Sequence, residues 1–281
     1  MAVLFGDLAA VSGEETVFNW SANFSAENKD FVASNTLNGT MRLPGRKDWG
    51  GDYECATAEP ANLPGAAITF LGSIDGALGI GGAGFVESME TSCDVAGGGP
   101  VTCKVAFGGD GAPTKGAAVV ADTSDPNPYN GLNGSASLGT LATEPVYTPL
   151  ADVTKWSLKI TAKNKKYGSS STAGRYKRLG GHIDASASIS YYFASPATLP
   201  EEGDVIAVQL YVSATEFWEI WWMTIDSVTD IKVDPNTQEP VGCTVNLSWS
   251  SHADISGTST VGKIVTPSEA QFWPVEVEEE A

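Results

Sequence analysis

The sequence predicts an all-β protein made of two tandem copies of one β-sandwich or barrel domain, with room for one short helix per copy. Three observations carry this. Apolar residues recur at every second position in several segments, the mark of half-buried strands. Thirty-one Gly and fifteen Pro punctuate those segments, as expected of short strands joined by turns. The sequence also repeats itself at a fixed spacing, the sign of a duplicated fold.

The alternation is clearest in the second half. Trp156, Leu158, Ile160 and Ala162 alternate with Ser, Lys and Thr, and Ala185, Ala187, Ile189, Tyr191 and Phe193 follow the same period. So do Ile206, Val208, Leu210 and Val212, and then Val241, Cys243, Val245, Leu247 and Trp249. Asp234–Pro240 has turn chemistry between two such segments and predicts a hairpin, with Ala96–Pro100 in the same place in the first half. Phe217–Ile225 is apolar at both parities, which predicts a strand covered on both faces. The spacing leaves a short helix open near residues 213–219.

A shift of 136 positions aligns residues 20–48 with 156–184 without a gap. Identical pairs include Trp20/Trp156, Asn28/Asn164, Arg42/Arg178, Leu43/Leu179, Gly45/Gly181 and Asp48/Asp184. There are 11 identities in 29 columns, where average composition gives about two. Further on, Pro60–Pro64 matches Pro196–Pro200, Val86–Met89 matches Ile225–Val228, and Val101–Val105 matches Val241–Val245. The expected organisation is an N-terminal arm at 1–16, a first β unit at 17–111 and a linker or strap at 112–152. A second β unit follows at 153–252, then an acidic C-terminal arm at 253–281. Trp20 and Trp156 open the first strand of each unit and are expected to anchor its core.

Charge narrows the function. The chain carries 16 Lys and Arg against 34 Asp and Glu, a formal net charge of −18. Such a field repels phosphates and anionic lipid heads, which argues against sequence reading of nucleic acid and against a membrane partner. Residues 1–7 carry neither a basic nor a long apolar region, so no secretion leader is expected. The four cysteines, Cys55, Cys93, Cys103 and Cys243, are too few and scattered for a disulfide framework and read as buried thiols.

No catalytic, cofactor-binding or metal-ligating residue is assigned, and no cofactor is expected. The two histidines, His182 and His252, lack a nucleophile partner or a second ligand nearby in sequence. Gly79–Gly84 satisfies the G-x-G-x-x-G spacing but no amphipathic helix follows it, so phosphate would find no helix N-terminus there. Asp122–Asn127 spaces oxygen ligands without the rest of a calcium loop. Arg42 and Arg178 precede Asp48 and Asp184 at equal spacing; a turn capped by its own carboxylate accounts for that pattern. The sequence reads as a structural protein and not an enzyme.

Trp156-Ser-Leu-Lys-Ile160, Tyr167, Ser170, Thr172-Ala-Gly174, Arg178, Gly181 and Asp184, continuing through Gly203-Asp204, Ile225–Val228 and the closing hairpin, resemble the major tail (tail tube) proteins of long-tailed bacteriophages. The first unit departs from the pattern at Asn38-Gly39 and Pro44. The resemblance implies a virion structural protein, made in the host cytoplasm, whose β-sandwiches join side by side into stacked rings around a channel for DNA. With two such domains per chain, a homotrimer closes a pseudo-sixfold ring. Its partners are then further copies of itself, other tail proteins and DNA in transit during ejection. A capsid decoration protein, or other virion surface protein, is the alternative, and a carbohydrate-binding tandem module a third. At aligned positions the units swap sign, Glu27 against Lys163 and Asp30 against Lys166, a pattern that favours unlike neighbours in a ring and that random drift on solvated hairpins explains as well.

Overall fold

The computed structural model describes residues 9–11, 17–31, 40–74, 78–116, 128–141, 145–168, 174–193, 200–231, 240–250, 252–255, 258–261, 263–268 and 271–273. The Asp122–Asn127 run, the centre of the Asp234–Pro240 turn and the acidic end of the chain lie outside these. The chain is all-β. Its strands are β1 (Ala9–Val11), β2 (Val17–Ala26), β3 (Lys29–Phe31), β4 (Met41–Leu43), β5 (Lys47–Cys55), β6 (Ala67–Ser73), β7 (Gly79–Asp94), β8 (Thr102–Gly109) and β9 (Thr114–Lys115). Then come β10 (Ser135–Thr140), β11 (Val146–Pro149), β12 (Val153–Ala162), β13 (Lys165–Tyr167), β14 (Lys177–Leu179), β15 (Ile183–Tyr192) and β16 (Val205–Tyr211). The last are β17 (Phe217–Thr229), β18 (Gly242–Trp249), β19 (His252–Ile255), β20 (Thr258–Val261), β21 (Ile264–Val265) and β22 (Gln271–Trp273).

Two sets of strands share one pairing diagram. In the first, β2-β5-β8-β7 form a sheet, and the N-terminal half of β7 continues into a second layer with β6, β1 and β9. In the second, β12-β15-β18-β17 form the equivalent sheet, and β17 continues into β16, β10 and β21. Registers agree pair for pair. Trp20↔Tyr53 and Ala26↔Lys47 become Trp156↔Ile189 and Ala162↔Ile183 at a shift of 136. A register break falls after Val17 in one and after Val153 in the other. A second break lies between Val86 and Ser88, and its counterpart between Ile225 and Ser227. Bulges fix strand bend and register, so their coincidence shows that the two halves share geometry as well as sequence. The hairpins β3–β4 and β13–β14 are equivalent as well, and the turn into each is held by the same side chain. Asn28 and Asn164 accept the amides of Gly45 and Gly181. A Cβ at either glycine would lie within 2 Å of a carbonyl oxygen, that of Glu27 or of Lys163, so nothing larger fits where the chain leaves its hairpin.

The core lies between the layers. Phe70 of β6 packs on Phe107 of β8 at 4.6 Å between ring centres, and Trp20 meets Phe70 edge-on at 5.6 Å. Trp156 is buried, with its indole N–H donating to the Tyr211 carbonyl, while Trp20 is only partly covered. One indole sits at the same sheet position in each half but comes from opposite strands. Trp49 of β5, one residue beyond the Gly50↔Gly108 pair, lays its ring against Gly109, whereas Trp249 of β18 is one residue beyond Ser186↔Ser248, next to the position of Ala185. A Cβ on Gly109 would fall 2.0 Å from the Trp49 ring, so the space admits one ring only. Both ring nitrogens are buried without a hydrogen-bond partner.

Several segments differ from expectation. Residues 213–216 form a turn, closed by the Val212 amide donating to the Glu216 carbonyl, and β17 starts directly after it. The one helical element among the described residues is a single 3-10 turn at Gly131–Asn133. Within 112–152, β9 pairs with β7, whereas β10 and β11 extend the second half's sheet. The small residues of Ser-Ala-Ser-Leu-Gly-Thr, with Gly139 beneath the Tyr147 ring, let β10 approach closely and leave little hydrophobic alternation to read. From the expected arms, β1 and β21 also pair within the chain. The Gly79–Gly84 run is the first turnless stretch of β7. No described helix is long and apolar enough to cross a membrane.

Candidate assembly interface

The halves meet edge to edge. The C-terminal part of β7 pairs with β12 from Thr161↔Ser88 to Lys155↔Asp94, so β2-β5-β8-β7-β12-β15-β18-β17 form an eight-stranded layer within one 16-stranded sheet, which continues from the N-terminal part of β17 into β16. Its outward face is polar. Ser21 and Lys104 meet Asp52, Ser92 bonds Thr102, Ser188 and Ser227 bond Asn246, and Ser248 donates to Asp226. At the junction itself Leu158, Ile160 and Met89 are fully buried, each contributing roughly 1.5–3 kcal/mol relative to an exposed position.

The β13–β14 hairpin leans across this junction onto the first half. Arg178 is its anchor, with a side chain only 8% exposed. The guanidinium donates to both oxygens of Asp48 at 2.9 and 3.3 Å, to Glu87 at 2.9 Å, and to the Gly109 carbonyl. Burial opposes its charge, but the hydrogen bonds and charges of Asp48 and Glu87 outweigh that and raise its pKa above the ordinary value. Beside it Lys166 lies 3.7 Å from Glu27 and 3.5 Å from Asp48, and the Tyr176 hydroxyl donates to Glu27. The Asn164 side-chain amide donates to the Val86 carbonyl, and the Lys47 amide to the Gly174 carbonyl. The pairing of Arg178 with Asp48 thus crosses between halves; the Arg–Asp spacing in the sequence is no self-capped turn. The signal available beforehand was that Glu87 and Asp226 match as acids, alongside Asp48 and Asp184.

The same two surfaces recur at the ends of the sheet without a partner strand. Among the described residues β2 pairs on one side only, with β5, and β17 beyond Ile225 pairs only with β18. Burial follows. Phe24, the counterpart of Ile160, is 43% exposed, and Ala22 and Val228 are partly exposed where Leu158 and Met89 are buried. The β3–β4 hairpin stands clear, with Arg42 74% exposed and, among the described residues, paired with Asp30 of its own hairpin. Open edges with apolar side chains are strand-pairing templates.

Sequence-predicted sites do not converge here. His182 is exposed, and among the described residues no three His, Cys, Asp or Glu side chains form a metal-binding group. All four cysteines are buried, and Cys103 lies opposite Cys55 across β5 and β8. Burial and then Asp94 push the Cys93 thiol up to about 11. No family model and no curated protein matches the sequence.

Proposed function

We propose that the chain is a self-assembling virion structural protein that builds the tail tube of a long-tailed phage, in rings of three chains stacked around a DNA channel. One observation carries the reading. Among the described residues β2 and the end of β17 beyond Ile225 have no strand on their outer side, and they are the counterparts of the two edges joined at the centre, those of β12 and β7. A head-to-tail contact of this kind either closes into a ring or runs on as a filament. Repeating the internal junction between molecules would align Phe24 with Val228 and Ser25 with Ser227, as Ile160 aligns with Met89 and Thr161 with Ser88. Three eight-stranded layers joined this way make a closed wall with one polar face. On that face carboxylates and cations alternate: Asp48 meets Arg178, Asp52 meets Lys104 and Asp184 meets Lys163, while Lys159 stands opposite Glu90 and Lys155 opposite Asp94. With no excess of cations on the wall and a formal charge of −18 per chain, such a channel would let DNA slide without being held.

The test is negative-stain microscopy of purified protein over a concentration series, with mass measured in parallel. Rings or tubes with a central channel and a three-chain repeat support the reading. A persistent monomer, or a compact trimer that never stacks, overturns it and favours a capsid decoration protein.

A further inference from the structure

Resting on that reading, we propose that ring closure is an ion-pair exchange: Asp30 and Arg42 on the β3–β4 hairpin are a key, and Lys163, Asp184 and Asp226 of a second copy are its lock. The internal junction supplies the geometry. Transferring each contact to its counterpart, Arg178 on Asp48 and Glu87 becomes Arg42 on Asp184 and Asp226. Lys166 on Glu27 becomes Asp30 on Lys163, with the sign reversed on both sides and the attraction kept. Lys166 also lies near Asp48, so Asp30 arrives near Asp184, where Arg42 neutralises the pair. The Asn28 amide takes the place of Asn164, facing the Ile225 carbonyl as Asn164 faces Val86.

In the free chain four of these five charges pair within their own end, and Asp226 accepts from Ser248. Arg42 holds Asp30 at 3.1 Å, and Lys163 holds Asp184 at 2.9 Å. All four side chains are at least 44% exposed, so each pair is weak and freely exchanged. Docking breaks both and forms Arg42–Asp184, Arg42–Asp226 and Asp30–Lys163 in a desolvated seam, where guanidinium forks on carboxylates are strongest. The sign reversal also decides the partner. A β3–β4 hairpin offered to the first half's acceptor surface would set Asp30 against Glu27. A β13–β14 hairpin offered to the second half's would set Lys166 against Lys163. Only the alternating order is free of both.

The full-length chain tests this in three forms: D30K/R42E, K163E/D184K/D226K, and the five substitutions combined. Each half-set keeps an opposite-sign pair at its own end, so unchanged near-ultraviolet circular dichroism is the folding control. Each half-set alone should raise the midpoint concentration of assembly about tenfold or more, the size expected of like charges placed across a contact. The combined chain, with key and lock both reversed, should return to within about threefold of wild type. A half-set that assembles like wild type, or a combined chain no better than the worse half-set, overturns the exchange and leaves the ring reading standing. A wild-type chain that remains monomeric at every concentration removes a second copy as the occupant, and the ring reading with it.

Discussion

Arg178 and Arg42 occupy one position in two copies of a fold, yet their removal should have very different consequences for the isolated chain. Replacing Arg178 with Ala leaves Asp48, only 15% exposed, without its two-pronged partner, and strips Glu87 and the Gly109 carbonyl of a donor. Removing one member of a buried ion pair costs about 3–5 kcal/mol. Asp48 keeps Lys166 at 3.5 Å, and Glu87 is exposed enough to regain water, so the lower end, about 3 kcal/mol, is expected. Arg42→Ala breaks only an exposed pair with Asp30 and should cost about 0.5 kcal/mol or less. Urea unfolding of dilute, unassembled protein reads both. With a slope of about 3 kcal/mol per molar, R178A shifts the midpoint down by about 1 M and R42A hardly at all. Assembly should respond in the opposite sense, with R42A impaired although its fold is intact. Equal midpoints for the two variants would refute the claim that Arg178 sits in a completed junction and Arg42 in an open one.

Three further outcomes follow from the packing and the titrating groups. Trp49→Ala should cost about 3–5 kcal/mol in thermal or chemical unfolding. Adding Gly109→Trp should recover at least about half of that, because it recreates the Ala185/Trp249 arrangement of the other half. The four buried thiols should resist Ellman's reagent at pH 8 and react once the chain is unfolded. For Cys93 the folded thiol titrates near 11 and an unfolded thiol lower, so its contribution to stability is complete below the unfolded value. That contribution declines as pH rises toward the folded one. Tyr147, half-buried and donating to Glu219, and Tyr191, buried beside Cys243, are both raised above the ordinary phenol range. An alkaline absorbance titration should show both silent until the protein unfolds, with stability lost above about pH 10.

The parts legible in the sequence were those written in local periods or in repeated letters. The alternation through Trp156–Ala162 and Ala185–Phe193 marks β12 and β15, and the 136-residue shift lands on the observed registers because strand pairing and bulge positions descended together. Short strands built from Ser, Ala and Gly, such as β10, carry no such period. Neither does the junction, since the pairing of β7 with β12 joins segments more than sixty residues apart and depends on where β7 bends between layers. The arginine–carboxylate repeat was visible, but nothing local says that Arg178 reaches Asp48 across the junction instead of Asp184 in its own half. The sign swap at Glu27/Lys163 and Asp30/Lys166 was equally visible. It acquires meaning from the placement of Lys166 against Glu27.

Hydrogen–deuterium exchange, comparing dilute chain with chain concentrated until it assembles, tests the pairing of the two open edges most directly. Assembly should slow exchange at residues 19–25 of β2, at 227–229 at the end of β17, and at Met41–Leu43 of the hairpin. The already joined amides of β7 and β12 should not change. Protection gained at other surfaces, with these segments still exchanging freely in the assembled state, would contradict the account.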